Sequence, residues 1–201
     1  DGLTYLHLNH PLVRRLLGEL TDGRAPAVTA LRLAADALPF GAALPDGGGL
    51  WAVYCLRATN YADVDRAELI SVFVDRNGAS HPRLARVLLN LAPEHAETGY
   101  LSPDADLSAL QAAAQRIAEA QAADRFSELQ LEHARRLAAE REKLTRYYRQ
   151  QEGAVAGIAI ENIRQAKQRE LLYRRHADLA GLDVRLTLVP HLAALGLAVV
   201  E

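Results

Sequence analysis

Residues 126–153 read FSELQLEHARRLAAEREKLTRYYRQQEG. Charge dominates the segment, yet Phe126, Leu129, His133, Leu137, Leu144 and Tyr148 step along one side of a helix. That spacing predicts a single seam of roughly seven-residue period with a charged remainder. Upstream, Leu107, Leu110, Ala114 and Ile117 continue the three-and-four pattern, and the Ala-rich interval 118–123 permits close helix approach. Downstream, a break is expected at Glu152-Gly153, with Gly153 and Gly157 marking the return. The second arm carries Val155, Ile158, Ile160, Ile163, Leu171, Leu172, His176 and Leu179, and Gly181 is placed to end it. Residues 104–181 therefore read as an antiparallel helical hairpin. Its arms are too charged to be core, so they project or clamp.

Working outward, the apolar tail from Leu192 to Glu201 returns the chain to a sheet. Within residues 182–201, Val184–Val189 and Leu195–Val200 read as extended, with Pro190 between them. Residues 1–103 supply the rest of that sheet. Strands are expected at 3–8, 28–33, 50–58 and 69–74, from alternation or apolar runs. A short N-terminal helix follows Asn9 and Pro11, with Leu12, Val13, Leu16, Leu17 and Leu20 on one face. Asp75-Arg76-Asn77-Gly78 reads as a tight turn. Residues 81–91 fit either a helix or a strand, and 93–103 reads as a linker before a helix capped by Asp104 or Asp106. The fold class is α+β: an antiparallel β-sheet with a short N-terminal helix and a long antiparallel helical hairpin.

Half of the 201 residues are apolar and 24% are charged, the profile of an ordinary soluble globular protein. No leader pattern and no membrane-length apolar run is present. Cys55 is the single cysteine and lies in an apolar strand, which suits a small buried hydrophobe in a reducing cytoplasm. The chain contains no Met, so Asp1 is not a natural start and a longer parent is expected.

Catalytic constellations are hard to assemble. Gly47-Gly48-Gly49 precedes a strand, whereas a phosphate loop follows a strand and opens a helix. His7 and His10 have no third ligand nearby in sequence. Asp63 and Asp65 look like solvated turn residues. His133 and His176 fall at seam positions in opposite arms and read as packed aromatics. No catalytic residue and no metal site is expected in this chain, and no turnover of its own.

Charge is more telling. Residues 1–124 carry 10 basic and 15 acidic side chains, residues 125–175 carry 12 and 7, and residues 176–201 carry 1 and 3. A hairpin near +5 thus sits between segments near −5 and −2. Phosphate or an acidic partner suits such a hairpin, and so does an ordinary solvated helical face. The candidate contact residues are Arg135, Arg136, Arg141, Lys143, Arg146 and Arg149 on the first arm. On the second arm they are Arg164, Lys167, Arg169, Arg174 and Arg175. Tyr147 and Tyr148 lie among the first set, where aromatic rings interleaved with arginine can stack on bases or pack on a partner.

One further pattern spans nearly the whole chain. The opening strand leads into His10-Pro11-Leu12-Val13-Arg14. Ala37-Leu38-Pro39-Phe40-Gly41 precedes the apolar strand Leu50–Leu56. Val72-Phe73-Val74-Asp75-Arg76-Asn77-Gly78, the charged helical pair and a terminal Ala198-Val199-Val200 follow in order. This succession resembles the C-terminal domain of RapA-type bacterial Swi/Snf helicases. The resemblance implies an ATPase motor of two RecA-like lobes upstream in the same chain, with ATP and Mg²⁺ as that motor's cofactors and none in this region. It implies a non-catalytic accessory role: packing on the motor, and contacting double-stranded DNA or a DNA-bound partner such as RNA polymerase. The residues themselves also fit a helical-hairpin adaptor that binds protein and no nucleic acid. No membrane partner is expected, and the compartment is the cytoplasm.

Overall fold

The computed structural model describes residues 27–34, 37–39, 42–60, 62–91, 96–99 and 107–201. The expected strand at 3–8, the N-terminal helix, His7, His10 and the proposed Asp104 or Asp106 cap lie outside these residues. The fold is α+β, with a five-stranded mixed sheet that is mostly antiparallel and a long helical hairpin. The strands are β1 (Ala27–Leu33), β2 (Gly49–Thr59), β3 (Asp65–Asp75), β4 (Ala96–Gly99) and β5 (Val189–Val200). The helices are α1 (Pro82–Leu89), α2 (Ser108–Ala156) and α3 (Glu161–Val184). Two compact units divide the chain. The first is Asp1–Arg57, Arg66–Arg125 and Pro190–Glu201; the second is Ala58–Asp65 and Phe126–Val189.

In the first unit the strand order is β3-β2-β5-β1-β4. The last strand of the chain therefore lies in the middle of the sheet. β5 pairs in parallel with β1, Val28 facing Leu197 and Leu31 facing Val200, and β1 pairs antiparallel with β4. The parallel ladder departs from the all-antiparallel expectation. It arises because β5 re-enters the sheet between two earlier strands rather than beside its sequence neighbour. β4 lies within the stretch expected to be a linker. Its four residues, Ala-Glu-Thr-Gly, include no fully buried position and pair with β1 through the backbone, so no hydrophobic pattern marks them.

Helical spacing wins at residues 81–91. Pro82 opens α1 without loss of a needed donor, and Leu84, Ala85 and Leu88 turn inward. They join Phe73 and Val200 in one apolar cluster, which Leu33, Trp51 and Leu91 flank. The preceding turn is tied by Asp75, whose carboxylate accepts from the Asn77 and Ala79 amides and from His81. The His81 bond, followed by the amides, holds the Asp75 carboxyl below its usual range. The glycine tract 47–49 has a packing role. Gly48 adopts φ +72°, and a Cβ there would stand 2.0 Å from the Val200 carbonyl oxygen; at Gly49 it would stand 2.3 Å from that of Val74.

The first part of α2 belongs to this unit and buries Ala113, Ala114, Ala118 and Ala122. Arg125 grips Glu68 of β3 through two hydrogen bonds of 2.5 and 2.9 Å. Burial, and secondarily Glu119, raises the Tyr54 phenol. Among the described residues no helix is long and apolar enough to cross a membrane.

The hairpin of the second unit corrects several expectations. α2 runs straight through Glu152-Gly153, because one glycine within a long helix costs only about 1 kcal/mol relative to alanine. The turn comes at residues 157–160. There the Gly157 and Ile158 amides reach back to Ala154 and Val155, and Ile160 is extended. α3 likewise runs through Gly181 to Val184. Residues 184–188 are thus helix end and turn, and a single strand, Val189–Val200, takes Pro190 at its exposed beginning. Along α2 the shielded positions recur every eleven residues: 118, 129, 140 and 151; 122, 133, 144 and 155; 126, 137 and 148. They recur equally at seven, as 126, 133 and 140 and as 137, 144 and 151, so the expected seven-residue seam is kept. In α3 Leu171 and Leu179 face the seam and Leu182 is buried, while His176, Ile163 and Leu172 are exposed, as is Ile160 before it. The His133–His176 pair is thereby dissolved.

Candidate functional site

Helix periodicity sorts the eleven candidate cations. On α2 the seam side holds Leu129, His133, Leu137 and Tyr148. Arg135, Lys143, Arg146 and Arg149 stand on the opposite, exposed side, over a rise of about 21 Å. Arg146 meets Glu142 at 3.2 Å, an exposed pair one turn apart that contributes little. Arg135, Lys143 and Arg149 have no ion pair or hydrogen bond with any described residue. Their side chains are exposed to solvent.

The other candidates are mostly occupied within the unit. Arg136 bonds Asp63 at 3.0 Å, and Arg141 bonds Asp183. Arg164 pairs with Glu161, and Arg175 pairs with Glu152 across the hairpin at 2.8 Å. Lys167 and Arg174 share Glu170, at 3.1 and 2.6 Å. The Lys167 bond, then the two charges, holds the Glu170 carboxyl below its usual range. Arg169 is exposed and reaches only the Gln165 carbonyl, at 3.4 Å.

Sequence reasoning missed a polar cluster built around the β2–β3 turn. The Asn60 side-chain oxygen accepts from the amides of Ala62, Asp63 and Val64, at 2.9–3.0 Å. Its nitrogen donates to Asp63 at 2.8 Å and to the Arg185 carbonyl at 3.0 Å. Asp63 also receives Arg136 and Arg185, each at 3.0 Å, and Arg185 reaches Glu140 at 2.7 Å. The Asn60 bond foremost, with the arginines, lowers the Asp63 pKa. The Glu140 bond foremost raises that of Arg185.

His133 completes the cluster. Its Nε2 lies 2.8 Å from the Arg185 carbonyl, which can only accept, so Nε2 carries the hydrogen and Nδ1 accepts from Arg136 at 3.3 Å. The seam position of His133 was legible in the sequence, but its hydrogen-bonding task was not. Asp63 stays in an exposed turn, yet it is no idle solvated carboxylate. The Asn at 60 before a polar turn was the one available hint, since Asn organises such turns through its own side chain.

A concavity opens beside the seam, with a volume of about 360 Å³. Tyr147, Tyr148, Gln151 and Val155 line it from α2, and Lys167, Glu170, Leu171, Arg174 and Asp178 line it from α3. The two tyrosine rings meet edge to face, with centroids 5.2 Å apart. Tyr148 is buried and donates to Asp178, and that bond foremost raises its phenol pKa. Tyr147 is half exposed. Among the described residues no cluster of histidine, cysteine and carboxylate side chains is arranged to hold a metal ion.

No protein-family model, curated protein or solved structure matches the chain.

Proposed function

We propose that this chain is a non-catalytic accessory module whose helical hairpin contacts the phosphate backbone of double-stranded DNA. The observation that carries the reading is the outer side of α2, where Arg135, Lys143 and Arg149 stand exposed beside Arg146 and form no ion pair with a described residue. Cations without internal partners can displace counterions from DNA at no loss of folded-state pairing. The order of motifs that resembles RapA-type helicases supports the wider setting: a module of a bacterial ATP-dependent helicase or translocase, coupling its motor to DNA or to a DNA-bound complex such as RNA polymerase. ATP and Mg²⁺ would belong to that motor.

Fluorescence anisotropy on a blunt duplex at graded salt tests the DNA contact. Four phosphate contacts give a log–log salt slope of roughly −3 to −4. Replacing Arg135, Lys143 and Arg149 together by alanine should remove most of that slope and leave the thermal transition in place. No binding at low salt, or binding that the triple variant leaves unchanged, overturns the reading. The wider setting is tested on the native gene product, where helicase motor motifs should lie upstream.

A second reading has its own observation. Leu172 and Tyr173 are 58% and 77% exposed on α3, which suits a protein partner. A hairpin adaptor would then bind no duplex, and truncating the hairpin would abolish partner capture.

A further inference from the structure

The pocket between Tyr147 and Asp178 is distinct from the outer side of α2, and its groups are ordered along the hairpin. At one end stand the two tyrosines. Tyr147 is 51% exposed and leaves ring surface for a flat partner, while the buried Tyr148 is fixed by Asp178. Asp178 uses Oδ2 for that bond; its other oxygen has no hydrogen bond with any described residue. As a carboxylate it can only accept. One helical turn from Asp178, about 6 Å, comes Arg174, and Lys167 lies two turns further along. These two cations hold the single carboxylate of Glu170 between them, one oxygen each, so the trio keeps a surplus positive charge and several free N–H donors. Val155 and Leu171 supply the apolar wall.

A flat ring bearing an N–H donor at one end and an anion at the other is the complementary shape. The geometry points to a site for one nucleotide. A base with an exocyclic amine stacks on Tyr147 and donates to Asp178, and its phosphate sits on Arg174 and Lys167. The volume of about 360 Å³ is at the small end for ligand sites and suits a single nucleotide. That chemistry is offered equally by a free nucleoside monophosphate and by an unpaired nucleotide of a strand.

Calorimetric titration of the whole chain with adenosine, cytidine and purine riboside 5′-monophosphates, and with adenosine and ribose 5-phosphate, tests the site. One-site binding is expected, with adenosine and cytidine monophosphates about tenfold tighter than the purine riboside compound, whose base carries no N–H donor. Tyr147→Ala should weaken binding at least about fivefold. Arg174→Gln, which leaves Lys167 in place, should shrink the preference for adenosine monophosphate over adenosine. Both side chains are substantially exposed, so the variants retain the fold, and circular dichroism checks it. Absence of binding, equal affinity for all three nucleotides, ribose 5-phosphate binding as tightly as adenosine monophosphate, or indifference to both substitutions each overturns the proposal.

Competition by a short single-stranded oligodeoxyadenylate identifies a strand as the source, and its failure to compete identifies the free nucleotide. The Arg135, Lys143 and Arg149 triple variant should keep nucleotide binding while losing the duplex. Nucleotide binding absent with duplex binding intact would remove this site and leave the outer-face reading standing; the reverse result would do the opposite.

Discussion

Along β2, Leu50, Ala52, Tyr54, Cys55, Leu56 and Ala58 are all buried. Along residues 126–184, only Leu129, His133, Leu137, Tyr148 and Leu182 are. The first unit is held by excluded water and close backbone approach. The second has a thin apolar seam, and polar bonds such as those of Asn60, Asp63 and Arg185 fix its turns. Substitutions should therefore act in the two units by different mechanisms.

The largest effect is expected where the sheet has no room. Gly48→Ala places a Cβ against the Val200 carbonyl at a positive φ and should destabilise by about 3 kcal/mol or more in chemical denaturation. A loss below about 1 kcal/mol would show that the close approach relaxes freely. Next comes Val200→Ala at a fully buried position, expected to cost about 2 kcal/mol. The matched truncation Leu172→Ala in the hairpin should stay within about 0.5 kcal/mol, since that side chain is 58% exposed. Equal losses would erase the contrast between the units.

Asn60→Ala sharpens the comparison from the polar side. It strips three amides and the Arg185 carbonyl of a partner, and should cost about 2 kcal/mol with little change in the denaturant slope. Amide exchange at residues 62–64 should accelerate; unchanged exchange would mean that the turn is organised without Asn60.

The smallest effect is a pH dependence. Asp63 has a lowered pKa in the folded chain, so its contribution is complete above the unfolded carboxyl value, near 4. It is lost as pH falls through the lower folded value. Stability of the native chain should thus drop more steeply below about pH 4 than that of Asp63→Asn. Asp75 is lowered too, by its His81 bond, so the difference between the two proteins isolates Asp63. Parallel curves would show that Asp63 gains nothing from Asn60 and the arginines.

Elements with strong local signals were legible. The apolar strands near 28–33, 50–58 and 69–74 and the charged helical pair all form, with ends shifted by a few residues or more. Phe126, Leu129, His133, Leu137, Leu144 and Tyr148 do lie on the shielded side of α2. Misreadings concentrate where local chemistry is weak or is overruled. Gly153 and Gly181 permit an end to a helix without imposing one. The polar β4 carries no pattern because its backbone, not its side chains, is what pairs. His176 shares apolar-like spacing with its neighbours, but the phase of the helix turns it to solvent. The polar cluster was invisible because its members are far apart in sequence: Asn60, Asp63, His133, Arg136, Glu140 and Arg185 meet only once the chain has folded back.

By itself the sequence determined the α+β class, the charged hairpin and the basic character of residues 125–175, because periodicity and charge are local properties of the chain. Tertiary structure alone decided that the final strand enters the middle of the sheet, parallel to β1. It also decided that the glycine tract serves a backbone contact with Val200, and which cations keep their charge for a partner. Those outcomes depend on pairings between distant residues, and a carboxylate neutralises only the arginine that the fold brings within reach of it.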